Sequence, residues 1–471
     1  MQTFSRPSQY LSFAPQAASQ DARKVFLDLF EGRFSPLEVD DAASFLREQL
    51  AQARALDSDL PLDMSGLEAW MQEGVERVGA LYHDYLEERK AGGARRYFES
   101  KSHALHFLRS AAPTKMVDGA WLYGLLSRWN DPRFLSLVKT YLEELGEGLP
   151  TKNHVVLYKK LLTSQGLERF DDLSDEHYVQ GAIQLALAYN AERFLPEIIG
   201  FNLGYEQLPL HLLITAYELK ELGIDPYYFT LHITVDNSDS GHARQAVDAV
   251  FAAMPRVGDA DEFWQRVRAG YALNNLGAST NSIINEFDLE REVVAIFERK
   301  GAVGRFAHSD YRLVEERTVN NWLSEPEETL ALVRAMEREN WFKRGEDPAQ
   351  SRFWKLIQGD RARMFGVFSP YEQQVIWDYI AADAPDKASF GRPSSSSHLS
   401  FEAKQKLRED FASAQQGETD FDAEVRVLEH DLALSNSQTD TMQTLISLMS
   451  PAIHHSSAGL KATRIFNDVL G

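Results

Sequence analysis

The chain has 471 residues, enough for two or three domains, with 44% hydrophobic and 25% charged residues, an ordinary balance for a globular protein. Its formal net charge of −21 argues against a broad electrostatic grip on nucleic acid or an anionic membrane surface. There is no cysteine, which excludes disulfides, thiolate-held iron–sulfur clusters, thiolate zinc sites and cysteine nucleophiles.

In chain order, the first twenty residues lack a basic run followed by an apolar core, so no secretory signal is expected there. From Pro36 to Arg54, apolar residues at Val39, Ala42, Phe45, Leu46, Leu50 and Ala53 follow a helical period. The stretch from Leu67 to Leu86 does the same through Trp70, Val75, Val78, Leu81 and Tyr82. Asp131-Pro132 reads as a helix start that sends Phe134, Leu137, Val138, Tyr141, Leu142 and Leu145 inward. Another helix begins at Ser174 to His177, with Glu176 at its positive end. Tyr227–Val235 is rich in β-branched and aromatic residues, but it lies between helical stretches without hairpin turns. The expectation is an all-α protein in three parts. Residues 1–95 form an N-terminal helical section, 96–320 a core, and 321–471 a C-terminal helical section with a flexible loop at 383–400. No apolar run approaches the ~20 residues that span a bilayer, so a soluble cytoplasmic protein is expected.

Candidate chemistry gathers in the middle part. The segment from Leu231 to His242 carries His232, Asp236, Asp239 and His242. On one helix, Asp236 lies about 40° from His232, Asp239 about 20° the other way and His242 about 80° away. A local π-bulge could absorb the extra residues before His242. Imidazole nitrogen with carboxylate oxygen suits a redox-capable first-row metal. The competing reading is a turn, since Asn237, Ser238, Asp239, Ser240 and Gly241 have turn composition. Glu143-Glu144 is followed by glycines that break the helix, so His154 can begin the next one beside the carboxylates. Glu206 lies nine residues after Glu197, about 180° round, so only one of them faces a given site. Asp118 stands between apolar residues, as a ligand or as a helix-end cap. His103 and His106 read as a helix-surface pair. His454-His455 read as caps or packing groups of the terminal helices, with contact to the site left open. No Walker loop, Gly-x-Ser-x-Gly elbow, His-Glu-x-x-His motif or dinucleotide fingerprint is present.

Taken together, these residues resemble the heme-oxygenase-like diiron oxidases and oxygenases, a group of iron-containing redox enzymes. His232-Ile-Thr-Val-Asp236 matches the start of that family's His-x-x-x-Asp-x-x-His helix, although His242 arrives three residues later than in the common pattern. That offset leaves open Asp236 or Asp239. Glu206 before Gln-Leu-Pro is similar to the family's midway glutamate segment. Glu144 and His154 match its second helix, and Asp118 its early carboxylate. The resemblance covers about residues 97–255. It implies a heme-oxygenase-like seven-helix core with helical extensions at both ends. It also implies two Fe ions, ferrous in the reduced form, held by Asp118, Glu144, His154, Glu206, His232, Asp236 and His242, with O2 as cosubstrate. Heme-binding relatives need one proximal histidine rather than this acid-rich set, and thiaminase-like relatives depend on a cysteine. The activity implied is oxygenation of an amine nitrogen in an amino-acid-derived metabolite, in natural-product biosynthesis. The alternatives are desaturation or C–C cleavage of a similar substrate, or a metal-free helical binding or regulatory protein. Expected partners are a small amine or amino-acid-like substrate, free or tethered to a carrier protein, and an external electron donor, without nucleic acid or membrane. A homodimer is left open.

Overall fold

The computed structural model describes residues 21–167, 169–235, 241–304, 313–358, 362–382, 422–435 and 437–470. Asp236, Asp239 and the expected loop at 383–400 lie outside the described residues. Helices dominate, as expected of an all-α chain. One two-stranded antiparallel pair, β1 (Leu313–Val314) and β2 (Arg317–Thr318), is present among the described residues.

The N-terminal helices are α1 (Ala22–Phe30), α2 (Pro36–Ala53) and α3 (Leu67–Lys90). Ser35 and Glu38 form a capping box at the start of α2, with Pro36 in its first turn. In α3 the buried positions are Leu67, Met71 and Tyr85. The apolar stripe read from the sequence is shifted, and Leu81 faces solvent at 44% exposure.

α4 (Lys101–Ser110) and α5 (Ala112–Lys115) lead to a turn at Asp118-Gly119 and a 3₁₀ stretch, Ala120–Arg128. α6 (Leu135–Glu144) starts four residues later than the Asp131-Pro132 signal, because residues 132–134 form a turn. Its expected inward set from Phe134 to Leu145 is nevertheless buried. α7 (His154–Gln165) and α8 (Val179–Tyr189) follow, then α9 (Leu195–Tyr205), α10 (Leu210–Glu221), α11 (Tyr227–Val235), α12 (His242–Ala253) and α13 (Ala260–Ala272).

His232 and His242 therefore sit on two helices, which corrects the single-helix reading of that segment. Gly241 is extended (φ −82°, ψ −169°) and breaks the helical path before His242, so a π-bulge is not how the histidines are arranged. The remaining helices are α14 (Thr280–Asn285), α15 (Leu289–Gly304), α16 (Val319–Leu323), α17 (Thr329–Arg338), α18 (Trp354–Ile357), α19 (Pro370–Ala381), α20 (Ala423–Leu434), α21 (Gln438–Leu448) and α22 (Ser457–Leu470).

Two apolar cores result. One joins α1, α2, the 3₁₀ stretch, α6, α8, α9, α12 and α13, with Leu428, Met442, Leu445, Met449, Ala462 and Phe466 packed in from the C-terminal helices. The other joins α4, α7, α10, α11, α15, α17 and α19. Within the first, α9 and α13 meet backbone to backbone at Gly200 and Gly270. A Cβ on Gly200 would fall 1.8 Å from the Val267 carbonyl oxygen.

His103 corrects another expectation. It is buried rather than on the helix surface, donates from Nε2 to the Ile284 carbonyl at 2.9 Å, and stacks on Phe287. Replacing it with alanine should cost about 1–3 kcal/mol of stability and leave metal uptake unchanged. Chemical denaturation with a parallel metal titration checks both; a folded variant that no longer takes up metal would contradict the placement of the site.

Candidate metal centre

The candidate site lies on the seam between the two cores. α6, α9 and α12 supply Glu144, Glu206 and His242 from one side, and α7 and α11 supply His154 and His232 from the other. Asp118 enters from the turn after α5.

The chain between Glu144 and His154 folds tightly. Gly146, Glu147 and Gly148 all have positive φ (62°, 53° and 80°), which two glycines adopt without strain. Asn153 caps α7 by accepting from Val156 N at 3.0 Å, so His154 is fixed as the first residue of that helix. The Asn153 amide donates to Leu145 O at 3.2 Å and to His454 Nδ1 at 3.1 Å. The C-terminal helices close over the same loop. Arg464 donates to Gly148 O at 2.8 Å, and the Tyr141 hydroxyl to Met449 O at 2.6 Å. His454 thus supports the loop instead of facing the cluster, and burial holds its imidazole well below its ordinary range. Gly119 makes the facing turn possible, since at φ 81° an added Cβ would fall 2.7 Å from the Glu144 Cβ.

The resulting geometry brings together six of the seven residues singled out in the sequence; Asp236, the seventh, lies outside the described residues. Ligand atoms of Asp118, Glu144, His154 and His232 lie within 4.8 Å of one another, and so do those of Glu144, Glu206 and His242. Glu144 belongs to both groups. His154 Nδ1 is 2.5 Å from Glu144 Oε2, and His232 Nε2 is 3.1 Å from Asp118 Oδ2. His242 Nδ1 is 3.0 Å from Glu206 Oε2 and 3.7 Å from Glu144 Oε1. All six are buried.

Two imidazoles are oriented from behind. His232 donates from Nδ1 to the Tyr228 carbonyl at 2.8 Å, which leaves Nε2 facing Asp118. His242 Nε2 is 2.5 Å from Glu143 Oε2, which leaves Nδ1 facing Glu206 and Glu144. Asp118 accepts from the Tyr205 hydroxyl at 2.7 Å and from the Tyr228 hydroxyl. Burial opposes ionisation of Asp118, but Lys115, then His232 and His154, outweigh it and hold the carboxyl below its usual range. Burial, and then the Asp118 charge, push both phenols well above theirs.

Asp118, Glu144 and Glu206 are three buried carboxylates in contact with neutral-capable imidazoles. Such a cluster is costly to bury without cations. Oxygen and imidazole donors without thiolate suit iron or manganese, and two donor groups sharing one carboxylate fit a pair of ions. Glu197, the alternative acid on α9, turns away and pairs with Arg266 at 2.6 Å. His103 and His106 also lie elsewhere; His106 pairs with Glu286 at 3.3 Å.

A buried cluster of this composition is compatible with an iron site. Residues 105–275 match the sequence model of a family described as iron-containing redox enzyme, which supports the heme-oxygenase-like resemblance over that stretch. No curated protein and no solved structure matches the chain. No helix among the described residues is long and apolar enough to cross a membrane.

Sequence reasoning missed Glu143 and Lys115. Glu143 was visible only as the neighbour of Glu144, and Lys115 only as the residue three positions before Asp118. Glu143→Gln should weaken metal binding at the Glu144–Glu206–His242 group about tenfold, the scale of losing a histidine-orienting partner. Equilibrium metal titration reads this directly. Equal affinity in the variant would make Glu143 a bystander.

Proposed function

We propose that the protein is an O2-dependent non-heme diiron oxygenase that oxidises the amine nitrogen of an amino-acid-derived metabolite in natural-product biosynthesis. The observation that carries this reading is the pair of buried donor groups joined through Glu144. Asp118, Glu144, His154 and His232 would hold one iron, and Glu144, Glu206 and His242 the other, with Asp236 a further candidate from the sequence. Bound iron would supply the reduction of O2 and the oxidation of substrate, with electrons from an external donor.

The chain's own residues supply the remainder. Glu143 and the Tyr228 carbonyl fix the ring faces of His242 and His232, so the other ring nitrogen of each faces inward. Tyr205 and Tyr228 hold Asp118 through their hydroxyl protons and keep its two oxygens in place. Trp121, anchored by donating to Asn202 at 2.9 Å, packs on Tyr205 at 4.3 Å between ring centroids and keeps bulk water from that side. A water-poor, prearranged site of this kind would protect such chemistry from side reactions.

Turnover of an amine-bearing amino acid by the iron-loaded protein under isotopically labelled O2 tests the reading. One labelled oxygen on nitrogen is the expected product. Loss of two hydrogens, or chain cleavage, would replace N-oxygenation by desaturation or C–C cleavage. No iron uptake at all would return the chain to a metal-free binding protein.

A further inference from the structure

Lys115 has no part in the donor set, yet it is placed against it. Its ammonium donates to the Tyr205 hydroxyl at 3.0 Å and lies 3.6 Å from Asp118 Oδ1, with the rings of Tyr205 and Tyr228 at 5.1 and 5.9 Å. The Lys115 side chain is 20% exposed, whereas Asp118 is fully covered. Lys115 therefore links solvent to the cluster. Burial, then the Lys115 charge, push the His211 imidazole down to about 4, so it carries no competing positive charge at physiological pH.

Without metal, the ammonium is the counter-ion of Asp118. A metal cation held by Asp118 would take over that role and would repel a second positive charge a few ångströms away. The ammonium would then turn toward its exposed side, where an anion would pair with it. One lysine matches a single negative charge. The bidentate arginine that favours a phosphate is not part of this group.

We propose that Lys115 anchors a carboxylate of the substrate, and that metal loading of the neighbouring cluster releases Lys115 from Asp118 for this task. The inference rests on the metal-centre reading above and adds the substrate's anionic handle to it. The carboxylate binds at the solvent side, which directs the rest of the molecule inward past Tyr205. No covalent step is involved.

The test uses the full chain loaded with Zn2+, a redox-inert stand-in, with butyrate as the probe and butylamine, a cation of the same chain length without a carboxylate, as its control. NMR titration of labelled butyrate is run on the wild type, Lys115→Met and Lys115→Arg, each checked for folding by circular dichroism and for bound Zn2+. Butyrate should bind the loaded wild type and bind the metal-free protein more weakly. Lys115→Met should lose about ten- to a hundredfold in affinity, the worth of one charge-assisted hydrogen bond, and Lys115→Arg should retain most of it. Butylamine should not compete. Equal butyrate affinity in a Zn2+-loaded Lys115→Met protein would mean that carboxylates reach the metal directly, and it overturns the anchor while leaving the metal centre standing. Absence of butyrate binding to the loaded wild type overturns the anchor as well. Failure of the wild type to take up metal removes both readings.

Discussion

Glu144→Ala should abolish metal binding at both donor groups, lowering affinity more than about a hundredfold, beyond the range for losing a supporting hydrogen bond. The reason is geometric. Glu144 offers one oxygen 2.5 Å from His154 Nδ1 and the other 3.7 Å from His242 Nδ1, so it is the residue the two groups share. His232→Ala should behave differently. It strips an imidazole from the Asp118 side and leaves Glu144, Glu206 and His242 in place, so about one ion should remain per chain. Neither variant should unfold, because each removes a polar group from a costly buried cluster. Anaerobic metal titration with circular dichroism distinguishes these outcomes. Equal stoichiometry in Glu144→Ala and wild type would show that Glu144 is not shared, and equal loss in both variants would show that the two groups are not separable.

Gly200→Ala should be the most damaging small change outside the cluster. The added methyl would meet the Val267 carbonyl oxygen at 1.8 Å and Tyr271 N at 2.8 Å, both rigid backbone of α13. α9 must move away from α13, and Gly270 presses on the Glu197 carbonyl from the other side of the same contact. The expected cost is on the order of 3 kcal/mol or more, larger than the gain of about 1 kcal/mol from better helix propensity. Gly79 supplies the control. It lies on α3 with nothing within 4 Å of an added Cβ, so Gly79→Ala should stabilise by about 0.5–1 kcal/mol. Denaturant unfolding of both variants reads the contrast. Since Glu206 is the residue that ends α9, Gly200→Ala should also weaken metal binding at its group. A Gly200→Ala protein as stable as the wild type would mean that α9 and α13 are not in backbone contact.

Much of this was legible because the signals are local. The helix from Pro36 follows from the helical spacing of its apolar residues, and the break between Glu144 and His154 from Gly146 and Gly148. The opposite facing of Glu197 and Glu206 follows from helical rotation, and Arg266 on α13 captures the former. Other features depend on partners far away in sequence. His103 looks like a surface histidine until α14 brings the Ile284 carbonyl to it. His454 supports the Asn153 cap from three hundred residues downstream, which no periodicity reveals. The histidine segment misled because its angular spacing on a single helix is favourable, whereas the extended Gly241 places His232 and His242 on separate helices. Convergence survived that error, since both rings still meet acids from other elements. Lys115 was passed over because a lysine in a short helical turn carries no pattern of its own; its meaning comes from Tyr205 and Tyr228, which are brought over it from α9 and α11.

Anaerobic titration of the full-length, metal-free protein with ferrous iron, followed by admission of O2, bears most directly on the paired centre. Saturation at about two irons per chain, then a transient absorbance that forms only with O2, is the expected result for two donor groups of oxygen and imidazole ligands sharing one carboxylate. A chain that stays folded, binds no iron and leaves O2 untouched would contradict it.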